Sequence, residues 1–224
     1  MASDVLRISV DAKATVKVGP FSRGGKSRVK TDAADHDFQP EAIVTPVGIL
    51  VPTSDEVFLS GVVSKVTSDC LADCLTQWWE SVRERLHHIT TLVINRDNGP
   101  ENHSRRSQFM QRMVDFVRHY PLHVRLAYYP PYHSKYNPIE RCWGILENHW
   151  NGALLDSIET VLAFAQTMTW KGIQPVVELV TTTYKNGVKL TKQAMNTVEK
   201  QLQRQPGLDK WFVDIYPPPN VWDT

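Results

Sequence analysis

Residues 128–144 read YYPPYHSKYNPIERCWG. The two consecutive prolines cannot continue a strand, because proline lacks the backbone donor that a sheet ladder needs. Asn137 and Pro138 are typical of a helix start, with asparagine as N-cap and proline at the first helical position. The apolar residues that follow recur at the spacing of one buried helix face: Ile139, Trp143, Leu146 and Trp150. This segment therefore predicts a loop and then a helix.

Glu140 lies in the first turn of that predicted helix. Neighbouring residues are about 100° apart around a helix axis, so Glu140 lies on the flank of the face that Ile139 buries. Gly144, one turn further on, leaves room on this side for a bulky partner, although an interior glycine costs about 1 kcal/mol relative to alanine. We expect the helix to direct Glu140 along the edge of a sheet.

Two aspartates follow apolar runs that are typical of strands. Residues 5–10, VLRISV, alternate like a half-buried strand, and Asp11 comes directly after them. An acid at that position is costly to bury unless it binds something. Residues 92–94, LVI, indicate a short buried strand that ends in the turn residues 96–100. Asp97 is therefore predicted at the carboxyl end of a strand, where open α/β sheets bind their ligands.

Two aspartates and a glutamate in these settings predict a metal site. Hard divalent cations such as Mg²⁺ prefer carboxylate and water oxygens. Two such ions about 4 Å apart can clamp the attacking and the leaving oxygen of a phosphodiester. The leading hypothesis is metal-dependent phosphoryl transfer on nucleic acid. In it, Asp11, Asp97 and Glu140 are the catalytic residues and the ligands of two Mg²⁺ or Mn²⁺ ions.

The order of these elements resembles a known enzyme family. The predicted order is a strand with Asp11, a hairpin, a helix, a strand with Asp97, and later a helix with Glu140. This order resembles the ribonuclease-H-like core of DDE transposases and retroviral-type integrases. The 128–144 string is similar to the third-acid motif of bacterial insertion-sequence transposases and to the mariner string PPYSPDLNPIE. Other stretches resemble the Azo-type insertion-sequence transposases over almost the whole chain: HDFQPEAIVTPVGI, TQWWESV, NHWNGALLDSIETV and TTYKNGVKLT.

The resemblance implies a fold and a domain plan. The fold is α/β and ribonuclease-H-like, with a mixed five-stranded sheet, three antiparallel strands and then two parallel ones, flanked by helices. A catalytic core over 1–155 and a packed C-terminal helical extension over 156–224 are expected, without the family's N-terminal helix-turn-helix region. Asp11, Asp97 and Glu140 match the first, second and third acids. Residues 98–100, Asn-Gly-Pro, depart from the glycine run that the family tends to place after its second aspartate.

The implied activity is cleavage of DNA at transposon ends and strand transfer into target DNA by an assembly of several copies. No small-molecule substrate and no membrane are expected. Two alternatives stay open: a nuclease or resolvase without strand transfer, and a catalytically idle module that binds DNA or dimerises. Glu147, two turns beyond Glu140, is a weaker rival because the NPIE context favours Glu140, and Glu101 is a similarly weak rival to Asp97.

Basic residues near the predicted site indicate where DNA could be held. Residues 13–30 carry cations and no acid beside Asp11, which suits contacts to a DNA backbone, although a solvated hairpin is the alternative. Arginines assigned to the helix after Asp97 form a second candidate patch, with a solvated helix face equally plausible. His133 and Lys135 lie in the loop before Glu140. The DNA-contact candidates are Lys13, Lys17, Arg23, Lys26, Arg28, Lys30, Arg105, Arg106, His133 and Lys135, with Arg112 and Arg118 extending the second patch.

Composition agrees with a single large α/β domain. A chain of 224 residues with 42% hydrophobic residues can bury a sizeable core. A net charge of +1 decides nothing about nucleic acid, since the placement of charge matters more. The three cysteines, without a disulfide framework or a signal peptide, predict an intracellular protein, and the resemblance implies the bacterial cytoplasm with association to the nucleoid. Cys70 and Cys74 are interpreted as structural helix cysteines in preference to zinc ligands.

Overall fold

The computed structural model describes residues 3–21, 39–130 and 132–219. These residues form nine strands, five α-helices and a short 3₁₀ turn over 134–136. The strands are β1 Val5–Ala12, β2 Val16–Val18, β3 Ala42–Val51, β4 Glu56–Val62, β5 Thr91–Arg96, β6 His123–Tyr128, β7 Val176–Val180, β8 Leu202–Arg204 and β9 Phe212–Ile215. The helices are α1 Ser68–Val82, α2 Ser107–His119, α3 Ile139–Trp150, α4 Ile158–Thr167 and α5 Lys192–Glu199.

The chain divides into two compact units that interleave along the sequence. The first unit takes the residues up to 10, 67–137 and those from 185 onward, and the second takes 11–66 and 138–184. Each unit combines strands and helices from distant parts of the chain. Asp97 belongs to the first unit, whereas Asp11 and Glu140 both belong to the second.

The first unit is built on parallel strands. β1 pairs in parallel with β5 from Val5↔Thr91 to Ser9↔Asn95, and β5 pairs in parallel with β6. β9 then adds to β6 in antiparallel orientation, and β8 adds to β9. Every second residue of β5 is buried from Leu92 onward, which is the period of a strand with one packed face. Helices α1 and α2 pack together, and Arg112 of α2 forms ion pairs with Asp69 and Asp73 of α1.

The second unit is built on an antiparallel hairpin. β3 pairs with β4 from Thr45↔Val62 to Val51↔Glu56, β2 adds to β3, and β7 adds to β4 in parallel orientation. Asp55 in the tight turn between β3 and β4 has a φ of 58°, a left-handed conformation that aspartate tolerates. Helices α3 and α4 pack on β3. The buried face of α3 contains the four predicted residues and Cys142.

The predicted α/β, ribonuclease-H-like fold is confirmed, with parallel crossovers in the first unit and the antiparallel hairpin in the second. The strand number differs from the five that were expected, because β2 and the three strands after residue 156 add to it. The region 156–224, expected to be helical, therefore contributes β7, β8 and β9 as well as α4 and α5. No helix within the described ranges is long and apolar enough to span a membrane.

Candidate active site

Asp11 lies at the end of β1, where the buried run of the strand stops. Leu6, Ile8 and Val10 are buried, and Asp11 is half-buried. The indole Nε1–H of Trp143 donates a hydrogen bond to Oδ2 of Asp11 over 2.8 Å. The indole is a neutral donor, so the bond orients the carboxylate and leaves its negative charge in place.

Trp143 extends from α3 to Asp11, and Gly48 of β3 leaves the space that its indole ring occupies. Its side chain is buried in the hydrophobic cluster of the second unit, together with Ile139 and Leu146. A Cβ atom on Gly48 of β3 would collide with the indole ring and would lie 3.1 Å from Cδ1 of Ile139. Gly48 is therefore required for the indole to come this close to β3.

Glu140 occupies the first turn of α3, three residues before Trp143. Side chains three apart on a helix are neighbours, with Cβ atoms about 5–6 Å apart. Trp143 bonds to Asp11, so the helix that carries Glu140 also contacts the first predicted acid. Asp11 and Glu140 belong to the same unit, and Trp143 links the helix of Glu140 to Asp11.

Asn137 connects the start of this motif to β1. It is buried, accepts a hydrogen bond at Oδ1 from the hydroxyl of Ser9, and donates from Nδ2 to the carbonyl of Val10 over 3.1 Å. The N-cap was predicted at Asn137, which is one residue too early. Pro138 is the N-cap of α3, and the Asn137 side chain bonds to the strand instead.

Asp97 lies in the loop after β5, and hydrogen bonds of the Asn102 residue in the same loop stabilise this loop. Asn102 donates from Nδ2 to Oδ1 of Asp97 over 3.1 Å, and the hydroxyl of Tyr128 donates to the carbonyl of Asn102 over 2.9 Å. Burial raises the pKa of the Tyr128 phenol, which keeps it a neutral donor. A Cβ atom on Gly99 would lie 3.2 Å from both Oδ2 of Asp97 and Oδ1 of Asn102. The glycine at this position lets the loop close against the carboxylate.

The two rival acids are both engaged in ion pairs. Glu147 lies 2.7 Å from the ammonium of Lys13. Glu101 lies 2.9 Å from the guanidinium of Arg106 and also accepts a hydrogen bond from the hydroxyl of Ser68. These cations neutralise the two carboxylates, so both acids have structural partners in place.

The proposed DNA contacts within 13–30 are only partly described. Arg23, Lys26, Arg28 and Lys30 lie outside the described residues. Lys13 turns inward to Glu147, and its side chain is only 13% exposed. Lys17 lies on β2, is exposed, and has its Nζ 5.5 Å from the centre of the Phe21 ring. Lys17 is thus presented to solvent and Lys13 is not.

The second patch differs from its predicted placement. Arg105 and Arg106 precede α2, which begins at Ser107, so only Arg112 and Arg118 lie on the helix. The Arg105 side chain is 65% exposed and pairs with Asp209 at 3.3 Å, whereas Arg106 is 13% exposed and pairs with Glu101. The assignment of Arg105 and Arg106 to the helix is wrong, because the chain stays in turns until residue 106.

The loop before α3 carries exposed aromatic and basic side chains. Tyr132 is 96% exposed and has a φ of 66°. The ring of His133 stacks on Tyr136 with centroids 5.8 Å apart, and Nζ of Lys135 lies 5.3 Å from the same ring. Aromatic faces beside cations suit contact with nucleic acid. Sequence reasoning selected His133 and Lys135 and missed the two tyrosines beside them.

The donor chemistry of the three acids fits a hard cation. Among residues 3–21, 39–130 and 132–219, no cluster of three or more His, Cys, Asp or Glu side chains is already arranged to hold a metal. The buried Oδ1 of Asn102 has no hydrogen-bond partner in the described part of the chain and lies at the Asp97 loop. An unsatisfied acceptor beside a carboxylate is what a bound cation or its water can satisfy.

Comparisons with known proteins agree with the motif. The Mos1 transposase, solved as a paired-end complex with the left transposon end, matches with a TM-score of 0.49 and 11% sequence identity. The match covers 69% of this chain and 45% of the Mos1 chain, so this chain spans under half of that relative. No curated protein matches the chain. The model of the Rhodopirellula transposase DDE domain matches residues 2–217, and the chain belongs to that family.

Proposed function

We propose that this chain is a transposase catalytic domain that cuts DNA strands at transposon ends and transfers them into target DNA. Asp11, Asp97 and Glu140 are the catalytic residues and hold two divalent ions, Mg²⁺ or Mn²⁺. The observation that carries this proposal is the hydrogen bond between Trp143 and Asp11, which joins the strand of the first acid to the helix of the third. The match to the DDE-domain family supports it independently.

Asp97 is supported as the second acid by the pairing of β1 with β5. The last paired residues of these parallel strands are Ser9 and Asn95. Asp11 follows Ser9 by two residues and Asp97 follows Asn95 by two residues. Asp11 therefore lies near the carboxyl end of β1, and Asp97 is the first residue after β5, so both aspartates come at the carboxyl ends of paired parallel strands, where open α/β sheets bind their ligands.

The residues around each acid set the orientation of its oxygens. Trp143 fixes Oδ2 of Asp11, Asn102 fixes Oδ1 of Asp97, and the first turn of α3 carries Glu140. Divalent metal bound to these oxygens supplies an activated water and stabilises the departing 3′ oxygen. A serine or tyrosine nucleophile is not required, because water attacks the phosphodiester at the transposon end and frees a 3′ hydroxyl, which then attacks a phosphodiester of the target and releases a target 3′ oxygen.

DNA is the proposed partner, both as transposon end and as target. Lys17, Arg105, His133 and Lys135 are exposed and are proposed to contact the phosphate backbone. Lys13 and Arg106 are both ion-paired and mostly buried. We therefore propose that they affect DNA binding only indirectly, by stabilising the elements in which they lie. We expect several copies of the chain to act together on paired ends, as the family resemblance implies.

A cleavage assay with matched acid substitutions tests the proposal. Purified protein is incubated with supercoiled DNA and Mg²⁺, and a labelled oligonucleotide with a 3′ hydroxyl reports joined products. Asp11→Asn, Asp97→Asn and Glu140→Gln should each abolish nicking and joining. Glu101→Gln and Glu147→Gln serve as controls and should retain both, because those acids pair with cations.

Three results would overturn parts of the proposal. Parental activity in any one of the three variants would remove that residue from the site. Nicking without joined products would favour a nuclease on the same fold. Absence of both reactions in the parental chain, with Mg²⁺ or Mn²⁺, would favour an idle DNA-binding module.

A further inference from the structure

We infer that Trp143 is a positioning residue for metal binding, which acts by holding the carboxylate of Asp11 through its indole N–H. The inference rests on the proposed function, since it takes Asp11 as a metal ligand. It adds a residue outside the three acids, and it identifies Gly48 as the residue that makes the position of Trp143 possible.

The geometry gives Trp143 a polar contact in an otherwise apolar setting. Its ring is packed among the hydrophobic residues of the second unit, and its Nε1 lies 2.8 Å from Oδ2 of Asp11. A buried ring cannot move away to follow a different carboxylate rotamer, because core side chains are packed at near-crystal density. The indole therefore holds Asp11 in one orientation before any cation arrives.

Close contact with β3 restricts movement of the indole. A Cβ atom at Gly48 would clash with Cη2 of the ring and would lie 2.8 Å from Cζ2, so the ring lies directly on the backbone of β3. Ile139 borders the same space. The ring edge that carries Cζ2 and Cη2 is thus held close to Gly48, which limits the positions open to the adjacent Nε1–H.

Groups that orient a metal ligand contribute strongly to affinity. Removing such a partner costs about 10- to 100-fold in metal affinity or activity. A carboxylate that is already fixed also loses less conformational freedom when it coordinates a cation. Trp143 is therefore expected to act on metal affinity first, and on cleavage only through it.

Trp170 provides a matched control. It belongs to the same hydrophobic cluster as Trp143, but its buried Nε1 has no hydrogen-bond partner among the described residues. Trp143→Phe and Trp170→Phe both replace a packed indole with a benzyl ring. Only the first removes a hydrogen bond to a proposed ligand, so the pair separates loss of the donor from loss of packing.

Titration calorimetry with Mn²⁺ on the metal-free full chain measures the effect. Trp143→Phe should raise the dissociation constant for Mn²⁺ about 10- to 100-fold, whereas Trp170→Phe should bind like the parent. Gly48→Ala should reproduce the loss by displacing the ring. Gly144→Ala, where an added Cβ meets nothing within 4 Å, should bind like the parent. A melting curve without metal confirms that each variant is folded.

A spectroscopic measurement reports on the hydrogen bond itself. In ¹⁵N-labelled protein each of the seven tryptophans gives one indole N–H signal, and the signal lost in Trp143→Phe belongs to Trp143. That signal should move when Mg²⁺ is added and in the Asp11→Asn variant. The signal lost in Trp170→Phe should stay in place under both conditions.

The outcomes separate this inference from the proposed function. If the parent binds Mn²⁺, Asp11→Asn abolishes binding, and Trp143→Phe binds like the parent with an unmoved indole signal, the positioning role is wrong and the site stands. If the parent binds no Mn²⁺ at millimolar concentration, the proposed metal site itself is wrong. Equal losses in Trp143→Phe and Trp170→Phe would assign the effect to packing and would contradict the inference.

Discussion

Asn137 donates a hydrogen bond from its side-chain amide to the backbone carbonyl of Val10, the residue before Asp11. Asn137 itself lies three residues before Glu140. One buried amide therefore ties the chain just ahead of the third acid to the chain just ahead of the first. Trp143 makes a second connection one turn into α3. The NPIERCW string thus carries both a proposed ligand and the residues that anchor it.

We predict that Asn137→Ala destabilises the fold by about 2 kcal/mol, because it removes the buried hydrogen bonds of the Asn137 side chain to the Val10 carbonyl and the Ser9 hydroxyl. Urea unfolding measures the change. Asn148→Ala on the exposed face of α3 is the control and should stay within about 0.5 kcal/mol of the parent. A parental midpoint for Asn137→Ala would show that these hydrogen bonds contribute nothing to stability.

The Lys13–Glu147 pair should contribute modestly to stability. The Lys13 side chain is 13% exposed and that of Glu147 is 38% exposed, so solvent screens the pair in part. A double-mutant cycle of Lys13→Ala and Glu147→Ala should give a coupling of about 0.5–1 kcal/mol that falls as salt is added. Additive effects at low salt would contradict the pairing.

Asp214 should make stability depend on pH in the acidic range. Burial raises the pKa of its carboxyl, but hydrogen bonds from Arg125 and His123 outweigh burial and hold the pKa below its ordinary value. A carboxyl with a lowered folded pKa adds its full stability above the unfolded pKa of about 4, and loses it as pH falls through the folded value. Asp214→Asn should therefore cost about 1–3 kcal/mol near neutral pH.

The cost of Asp214→Asn should shrink as the pH falls below about 4. The parental carboxyl then takes up a proton, first in the unfolded chain and at lower pH in the folded one, so the stability that its charge provides is lost. Urea unfolding of both proteins across the acidic range measures the difference. Asp115→Asn, an exposed acid 3.6 Å from Arg118, is the control and should differ little from the parent throughout. A cost that stays constant down to about pH 2 would contradict this account, since no carboxyl would then be titrating.

Local patterns predicted the elements that bury their own apolar faces. The strand before Asp11 and the buried face of α3 follow from the spacing of their apolar residues, and the structure places both there. The strands β8 and β9 have three and four residues and form only because β6 offers an open edge. β9 depends on a partner strand 85 to 91 residues away in sequence, from Ala127↔Phe212 to Val124↔Ile215, and no local pattern indicates that partner.

The candidate site was likewise predictable from the sequence only in part. The three acids could be proposed from their own contexts, because strand ends and helix starts are visible in sequence. The contact of Trp143 with Asp11 joins residues 132 apart, and Trp143 reads in sequence as an ordinary core residue of a helix. Gly48 similarly reads in sequence as a glycine that destabilises a strand. The structure explains why a glycine stands there, since any larger side chain would collide with the indole of Trp143.

Diffraction from crystals soaked in Mn²⁺ tests the central claim most directly. Anomalous scattering locates the ion independently of any assumption about the site. We expect anomalous density in contact with the carboxylates of Asp11, Asp97 and Glu140, and its loss in crystals of the Asp11→Asn variant. Absence of density at these three carboxylates at millimolar Mn²⁺, or density held by other acids instead, would contradict the proposed active site.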